Sequence, residues 1–225
     1  MNAEYLIFTL AVIIGPLALS FDKRVHFVGK WPGVARAILP TLIIFGAWDS
    51  LVAGRHWWFN PDFTLKPRIA GLPIEEWLFF IVIPYACLFV WEVFAAYFKN
   101  RELRRLNGLR FLLMAGIPLG IFIYSTGKEY TGLVIVALGF VGVLDDLLKT
   151  KLFGQLRVYQ LIAISMGFML IFNGYLTWRP VIQYNESFIS GARILTIPIE
   201  DFGFGLAMIL MSTMLYEKFK RGRRG

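Results

Sequence analysis

The chain has few of the residues from which soluble enzymes build metal or redox sites. Its 225 residues include one cysteine and two histidines. A single cysteine forms no internal disulfide and no cysteine-rich metal site, and His26 and His56 stand too far apart in sequence for a metal-binding motif. The sequence also lacks a Gly-x-Gly-x-x-Gly fingerprint, a P-loop and a His-Glu-x-x-His motif. We therefore expect no nucleotide, flavin or metal cofactor.

Long hydrophilic stretches are also missing, and apolar ones dominate. Hydrophobic residues make up 57% of the chain, and the mean hydropathy is +0.63. Apolar stretches long enough to cross a bilayer core recur at 3–21, 33–52, 73–98, 109–125, 130–148, 158–178 and 198–217. The first stretch lacks a basic leader and a small-residue cleavage site, so we expect a helix of the mature protein. The sequence predicts an all-α membrane protein with seven transmembrane helices in one membrane domain.

The basic residues are distributed unequally between the predicted loops. A formal net charge of +8 would suggest a nucleic-acid partner in a soluble protein. Here most lysines and arginines lie after the first, third and fifth spans and at the C-terminus, which are on one side of the membrane. The positive-inside rule then places the N-terminus outside and the C-terminus in the cytoplasm of a cell-membrane protein. We expect no nucleic-acid partner.

The chain contains an internal repeat. Pro73 and Pro198 stand 125 positions apart, and each opens an apolar span with an isoleucine and a pair of acids. Further matches at this offset, or at one residue less, pair Phe59-Asn60 with Tyr184-Asn185 and Asp49 with Asn173. Several matches at nearly one offset are not expected by chance, so we interpret the chain as two related halves.

The repeat predicts the organisation of the domain. Repeat one covers 1–98, a connecting helix covers 109–125, repeat two covers 126–217, and a basic cytoplasmic tail covers 218–225. Each repeat has three spans, so corresponding spans are four apart and keep the same orientation. The predicted fold is therefore two parallel three-helix repeats, related by a pseudo-twofold axis along the membrane normal.

The two acidic pairs, Glu75-Glu76 and Glu200-Asp201, are the candidate catalytic groups. Acids that follow a proline in the first turn are also a common way to begin a helix, and this structural interpretation competes. We favour a catalytic role because the motif occurs twice and because ionisable residues at membrane depth are costly. Burial favours the protonated form of a carboxyl, so one group can donate a proton while another accepts one.

Other residues near the acids are candidates for supporting or substrate-binding roles. Asp49 is expected either to orient a catalytic glutamate or to form a structural hydrogen bond between helices. Rings that stabilise a carbocation through their faces are expected among Trp77, Phe79, Phe80 and Phe202. The repeated motif adds Asn60, Asn185, Pro73 and Pro198. Glu92 lies more than about 20 Å from Glu75 by helical rise, so it is not expected in the same cavity.

The duplicated motif resembles that of the integral-membrane lycopene cyclases. These enzymes occur in bacteria and archaea as paired small subunits or one fused chain, and in fungi as one domain of a larger enzyme. The resemblance rests on Pro73-Ile74-Glu75-Glu76-Trp77-Leu78-Phe79-Phe80, on Pro198-Ile199-Glu200-Asp201 and on Trp48-Asp49. The second copy differs from the first after the motif, with Gly203 and Gly205 in place of Leu78 and Phe80. The two halves are therefore not necessarily equivalent in function.

The resemblance implies a lycopene beta-cyclase, which catalyses a redox-neutral isomerisation. An acid protonates a terminal double bond of a linear polyene, an internal double bond closes a six-membered ring on the cation, and a base removes a proton to leave a β-ionone ring. Glu75 and Glu200 are then the leading acid and base candidates, with Glu76 and Asp201 as their partners. The implied partners are lycopene or a related linear carotenoid, the lipid bilayer and other enzymes of carotenoid biosynthesis.

Two other functions remain open on the residues themselves. One is a proton-coupled transporter with parallel repeats, in which the acids relay protons. The other is a non-catalytic seven-helix protein that binds a pigment. A transporter requires polar groups along a path to both faces, and the half of the membrane domain away from the acidic pairs offers mainly Glu92.

Overall fold

The computed structural model describes residues 3–221, and this part of the chain folds into seven α-helices. They are α1 (Glu4–Leu19), α2 (Trp31–Val52), α3 (Ile74–Tyr97), α4 (Leu109–Ser125), α5 (Glu129–Leu148), α6 (Leu156–Trp178) and α7 (Ile199–Arg221). All seven predicted apolar stretches are helical, with ends close to those predicted. Helix α7 continues through the first four residues of the predicted basic tail, and residues 222–225 of that tail lie outside the described range.

Six of the helices are long and apolar enough to cross a membrane. The exception is α1, which is apolar but only 16 residues long. Its length corresponds to about 24 Å, which is shorter than the roughly 30 Å hydrocarbon core of a bilayer. The helical fold is thus confirmed, six helices have the length and composition of membrane spans, and a span at α1 stays a prediction.

The helix contacts follow the repeat. Helix α1 packs along α3 as α5 packs along α7, and α2 packs on α7 as α6 packs on α3. The central helices α3 and α7, which begin with the two acidic pairs, also contact each other. Helix α7 is the most buried of the six long helices and α4 the least.

Short β-strands at one end of the helices connect the two repeats; we call this the hairpin end. Strands β2 (Arg68–Ile69) and β3 (Leu72–Pro73) form one hairpin, and β5 (Arg193–Ile194) and β6 (Ile197–Pro198) form its counterpart. Strands β1 (Trp57–Phe59) and β4 (Ile182–Tyr184) pair with each other in antiparallel register. Trp58 lies opposite Gln183, its own equivalent 125 positions away. A strand pair centred on equivalent residues is what a twofold relation between the repeats produces.

Reciprocal ion pairs also join the repeats at the hairpin end. Glu4 of repeat one binds Arg179 of repeat two, with 2.9 Å between carboxylate and guanidinium. Glu129 of repeat two binds Arg55 of repeat one at 2.5 Å and His56 at 2.9 Å. Each repeat therefore anchors the first helix of the other.

The connecting helix α4 packs tightly on α5. A Cβ added to Gly120 would lie 2.7 Å from the carbonyl oxygen of Gly132, and one added to Gly132 would lie 2.6 Å from that of Gly120. Real Cβ atoms do not approach a backbone so closely, so the two glycines allow the helix backbones to touch.

Charged residues hold the end opposite the hairpins. Glu92 of α3 is buried and binds the ammonium groups of Lys30 and Lys220, each at 2.5 Å. Glu217 of α7 accepts a 2.8 Å hydrogen bond from the indole of Trp91. Glu92 is therefore far from the acidic pairs, as its spacing predicts, and is held in place by two cations.

Candidate functional site

An elongated cavity lies between α1, α3, α6 and α7 and ends beneath the strand pair β1–β4. Its volume is about 460 Å³, which is within the range of small-molecule sites. Along α3 its wall runs from Glu76 to Val90, a helical rise of about 21 Å. Along α7 it runs from Asp201 to Ile209. The cavity is therefore long and narrow, a shape that suits an extended chain.

The acidic side chains of the cavity gather at its hairpin end. Glu76 from α3, Asp201 from α7 and Asp49 from α2 all line it, with only 6%, 5% and 1% of their surfaces exposed. Glu76 and Asp201 occupy equivalent positions of the two repeats. The fold thus brings one carboxyl from each half of the chain to a single cavity.

Three hydrogen-bond donors surround Asp201. Tyr130 donates to Oδ1 at 2.8 Å, and Tyr184 donates to Oδ2 at 2.5 Å. Asn173 adds a longer bond to Oδ2 at 3.3 Å. Burial and the neighbouring Asp201 carboxyl raise the pKa of Tyr184 well above its ordinary value, so its hydroxyl keeps the proton that it donates. These hydrogen bonds stabilise the ionised form of Asp201 and oppose the effect of burial, which favours the protonated form.

Glu76 is less supported than Asp201. Its one side-chain partner among the described residues is Tyr5, which donates to Oε2 at 2.6 Å. Tyr5 and Tyr130 are themselves 125 positions apart, so equivalent tyrosines of the two repeats donate to the two carboxyls. The difference between the sites is the additional pair of donors at Asp201, and that difference makes Glu76 the easier of the two to protonate.

Asp49 is bound to the strand pair. Its Oδ1 accepts a 2.7 Å hydrogen bond from the indole nitrogen of Trp57 in β1. Its Oδ2 is buried without a hydrogen-bond partner in the described part of the chain. Asp49 therefore binds a strand residue, and among the described residues it forms neither the expected hydrogen bond to another helix nor one to a carboxyl of the acidic pairs.

The other member of each acidic pair faces away from the cavity. Glu75 accepts a hydrogen bond from the backbone amide of Leu65 at 2.7 Å. Glu200 accepts one from the amide of Ser190 at 2.7 Å and another from the Thr131 hydroxyl at 2.6 Å. Neither lines the cavity. The structure therefore gives Glu75 and Glu200 equivalent positions beneath the loops that precede α3 and α7.

The predicted aromatic residues are divided between the cavity and the surrounding core. Phe79 lines the cavity. Phe80 and Phe202 are buried outside its lining, and Trp77 donates its indole hydrogen to the Ile69 carbonyl at 3.0 Å. The sequence did not single out Phe204, the equivalent of Phe79, which also lines the cavity.

The repeated asparagines and prolines shape the loops at the hairpin end. The side chains of Asn60 and Asn185 accept hydrogen bonds from backbone amides two residues further on, at 3.0 and 3.1 Å. Pro73 and Pro198 each end a hairpin directly before the helix that carries an acidic pair. These four residues therefore position the site without lining it.

Sequence reasoning missed the tyrosines. Tyr5 and Tyr130 each precede the carboxyl that they bind by 71 residues, so no local motif contains both partners. A comparison of the two halves at an offset of 125 aligns Tyr5 with Tyr130, and this was the available signal. Tyr184 was noted as the aromatic half of a repeated pair, but not as a hydrogen-bond donor to Asp201.

On the α2 side of α7, aromatic rings pack where the twofold relation would place a counterpart of the cavity. There, Phe45 and Trp48 pack against Phe204, with ring centroids 5.1 and 5.0 Å apart. An offset of 124 relates them to Met169 and Phe172 of α6, which line the open cavity. Aromatic side chains thus fill the space that symmetry would leave for a second cavity.

The carboxyl groups do not form a metal-binding cluster. Within residues 3–221, no three histidine, cysteine, aspartate or glutamate side chains lie close enough together to hold one ion. Beyond its acidic end the cavity is lined mostly by apolar residues, with Ser165 and Cys87 as exceptions. The arrangement can therefore hold an apolar molecule with one end beside the carboxyls.

Comparison with known proteins agrees with the family resemblance of the duplicated motif. The sequence model of the lycopene cyclase family matches residues 2–94 and 127–219, one match for each half of the chain. A bifunctional lycopene cyclase/phytoene synthase of Podospora anserina is 34% identical over 77 residues, which are 34% of this chain and 12% of that protein. The aligned region is thus a small part of the longer relative. No solved structure matches the chain.

Proposed function

Because the chain belongs to the lycopene cyclase family, matched over most of its length, we propose that it forms β-ionone rings at the ends of lycopene or a related linear carotenoid. A carboxylic acid adds a proton to the terminal double bond and leaves a tertiary cation. The electrons of an internal double bond then attack that cation and close a six-membered ring. Loss of a neighbouring proton to a carboxylate regenerates a double bond, so the reaction is a redox-neutral isomerisation.

The observation that carries the proposal is the meeting of Glu76 and Asp201 at the end of one long apolar cavity. A proton-initiated cyclisation needs an acid and a base near the same end of the substrate. It also needs surroundings with little water, because water would capture the cation. The low exposure of both carboxyls and the apolar wall of the cavity support this requirement.

We assign the proton donor to Glu76 and the proton acceptor to Asp201. Asp201 has three hydrogen-bond donors that stabilise a carboxylate. Glu76 has one, and a second carboxyl at the same cavity disfavours its ionisation. Glu75 and Glu200, the leading candidates by sequence, have the supporting role in this assignment, because each holds a loop in place.

Aromatic rings at the acidic end suit a cationic intermediate. Trp57, Phe79 and Phe204 line the cavity together with the two carboxyls. The faces of such rings attract positive charge, with a larger effect when the site excludes water. We propose that these three rings stabilise the cation between protonation and ring closure.

We also propose how the protein sits in the membrane. All seven helices, the shorter α1 included, would span a cell membrane as two parallel repeats, with the N-terminus outside and the C-terminal end in the cytoplasm. The related helix contacts and the strand pair β1–β4 support the parallel arrangement. The Podospora relative is named as both a lycopene cyclase and a phytoene synthase, and we propose that this chain likewise acts beside enzymes that make linear carotenoids.

The test is expression in a bacterial host that accumulates lycopene, with products separated by chromatography and identified by mass spectrometry. We expect the wild-type protein to yield a ringed isomer of unchanged mass. Glu76→Gln and Asp201→Asn should each lower the rate by at least about 100-fold, as expected for loss of an acid or base. The matched controls are Glu75→Gln and Glu200→Gln, one residue earlier on the same helices, which should retain cyclisation per folded protein.

The outcomes separate the competing functions. Unchanged lycopene from well-expressed wild-type protein would contradict a cyclase. Lycopene bound without conversion would favour a pigment-binding protein, and proton uptake into vesicles upon addition of a solute would favour a transporter. Loss of activity in the two control variants alone would return the catalytic roles to Glu75 and Glu200.

A further inference from the structure

The cavity opens on the side of the molecule, between α1 and α6. We propose that the linear polyene slides into it from the bilayer through this side opening, with the reacting end first. The substrate class rests on the proposed function; the route rests on the geometry of the cavity.

The hairpin end of the cavity is closed. Trp57 and Phe59 of β1, with Ile182 and Tyr184 of β4, form its roof. Val181 beside this roof is fully buried. A molecule therefore does not reach the carboxyls from the hairpin end without separation of the strand pair that joins the two repeats.

The long side of the cavity reaches the surface. Several of its lining residues are also exposed, namely Ala11, Gly15 and Leu19 on α1 and Ile164 and Phe168 on α6. Leu19 is 57% exposed and Phe168 is 50% exposed. These residues lie on predicted membrane spans, so the surface that they reach faces lipid. A residue that both lines the cavity and faces lipid marks an opening between the two.

The contacts that close α1 against α6 lie near the hairpin end. Glu4 binds Arg179 and accepts a 2.6 Å hydrogen bond from Tyr175. Phe8 packs against Phe172 and Tyr175, with ring centroids 5.1 and 4.5 Å apart. Further along the pair, small residues of α1 face the cavity. The two helices are therefore fastened beside the carboxyls and separated along the rest of the cavity.

The dimensions fit one end of an extended polyene. The wall from Glu76 to Val90 on α3 is about 21 Å long, and the acidic groups lie at its closed end. A linear chain that enters sideways can place its terminal double bond at that end while the remainder of the chain lies along the apolar wall or in lipid. Gly15 corresponds to Phe140 in repeat two, so the small residue at the opening is not repeated.

Gly15 offers a direct way to obstruct the opening. A Cβ added there has no heavy atom within 4 Å, and the same is true of Gly167 on α6. Gly15 lines the cavity and Gly167 does not. Gly15→Phe should therefore fill the opening, and Gly167→Phe is a matched control that places the same ring on a membrane helix away from the cavity.

The experiment measures binding apart from catalysis. Glu76→Gln protein, alone or combined with either glycine substitution, is purified from membranes of the lycopene-accumulating host, and bound lycopene is extracted and quantified per protein. We expect lycopene with Glu76→Gln and with the Gly167→Phe combination, and its loss with the Gly15→Phe combination. Ala11→Phe, one turn away on the same face, replaces Gly15→Phe if thermal unfolding shows that the latter does not fold.

The results distinguish this route from the proposed function. Equal lycopene in folded Gly15→Phe and Gly167→Phe combinations overturns the side opening, and so does a Glu76→Gln protein that retains no lycopene. Binding that depends on Gly15 in a protein whose wild type forms no ring supports the route and rejects the cyclase. Ring formation that is unaffected by Gly15→Phe and Ala11→Phe rejects the route and leaves the cyclase intact.

Discussion

Replacing Tyr130 with phenylalanine removes one of the hydroxyl groups that donate a hydrogen bond to Asp201, the carboxyl that we propose as the base. Tyr130 donates to Asp201 at 2.8 Å, and its equivalent Tyr5 donates to Glu76 at 2.6 Å. If Asp201 is ionised and Glu76 protonated, the first hydrogen bond supports a charge and the second joins neutral groups. The two Tyr→Phe variants therefore make the same chemical change at equivalent positions, with different expected costs.

The magnitudes follow from the charge of the acceptor. A hydrogen bond to a charged group contributes about 1.5–3 kcal/mol, and one between neutral groups about 0.5–1.5 kcal/mol. If the whole loss appears in the barrier, Tyr130→Phe slows ring formation roughly 10- to 150-fold and Tyr5→Phe roughly 2- to 10-fold. A base without its donors either takes up a proton or loses its orientation, and in both cases it no longer accepts a proton from the cation.

The assay is ring formation from lycopene in lipid vesicles that contain the purified protein, with the rate normalised to folded protein. Both rings are buried and keep their packing as phenylalanines: Tyr130 lies 4.8 Å from Trp57, and Tyr5 lies 6.5 Å from Phe59, between ring centroids. Normalisation to folded protein separates any loss of stability caused by the missing hydrogen bond from the loss of activity. An equal or greater loss in Tyr5→Phe would refute the assignment of the charge to Asp201.

Two further predictions concern stability. Gly120→Ala should destabilise the protein by about 1–3 kcal/mol, because its Cβ would meet backbone atoms of α5 at 2.7 and 2.9 Å. Gly116→Ala should be tolerated, because its Cβ would lie at an ordinary contact distance of 3.5 Å from the Ile135 side chain of α5. Denaturation in detergent measures both, and equal stability would contradict close backbone packing. Glu92→Gln should cost about 3 kcal/mol, the low end of the range for a broken buried ion pair, because its lysine partners are 30% and 25% exposed. Glu102→Gln, which affects an exposed pair, should cost less than about 1 kcal/mol, and a larger loss there than at Glu92 would contradict this reasoning.

The helices and the repeat were predictable from the sequence because both depend on patterns that extend over many residues. Apolar runs as long as a bilayer is thick indicated seven helices. The matches at Pro73 and Pro198 indicated two related halves, which the family comparison confirms. The exception is α1, which the structure ends at Leu19 after 16 residues, where the apolar run predicted a slightly longer span.

The choice between neighbouring acids was not predictable. Consecutive residues on a helix point about 100° apart, so a pair such as Glu75-Glu76 places one side chain on each of two faces. Which face meets the cavity depends on how α3 packs against α1, α6 and α7, and the motif contains no information on that packing. The strand pair β1–β4 was equally hidden, because strands of three residues have no clear periodicity.

The asymmetry between the halves was visible in the sequence but not interpretable. Gly15 and Phe140 occupy equivalent positions, as do Asp49 and Asn173 at an offset one residue shorter. Only the structure shows that Asn173 donates to Asp201 while Asp49 binds Trp57. Such differences between the repeats can be interpreted only when the hydrogen-bond partners of the side chains are known.

The strand pair β1–β4 and the crossed ion pairs make the two halves of the chain depend on each other. Neither half alone possesses both carboxyls or the roof above them. Because one polypeptide carries both, they are always produced in equal amounts, and each meets its counterpart at the high effective concentration set by a tether. Assembly of the cavity then proceeds as an intramolecular step, whose rate does not depend on the concentration of the protein in the membrane.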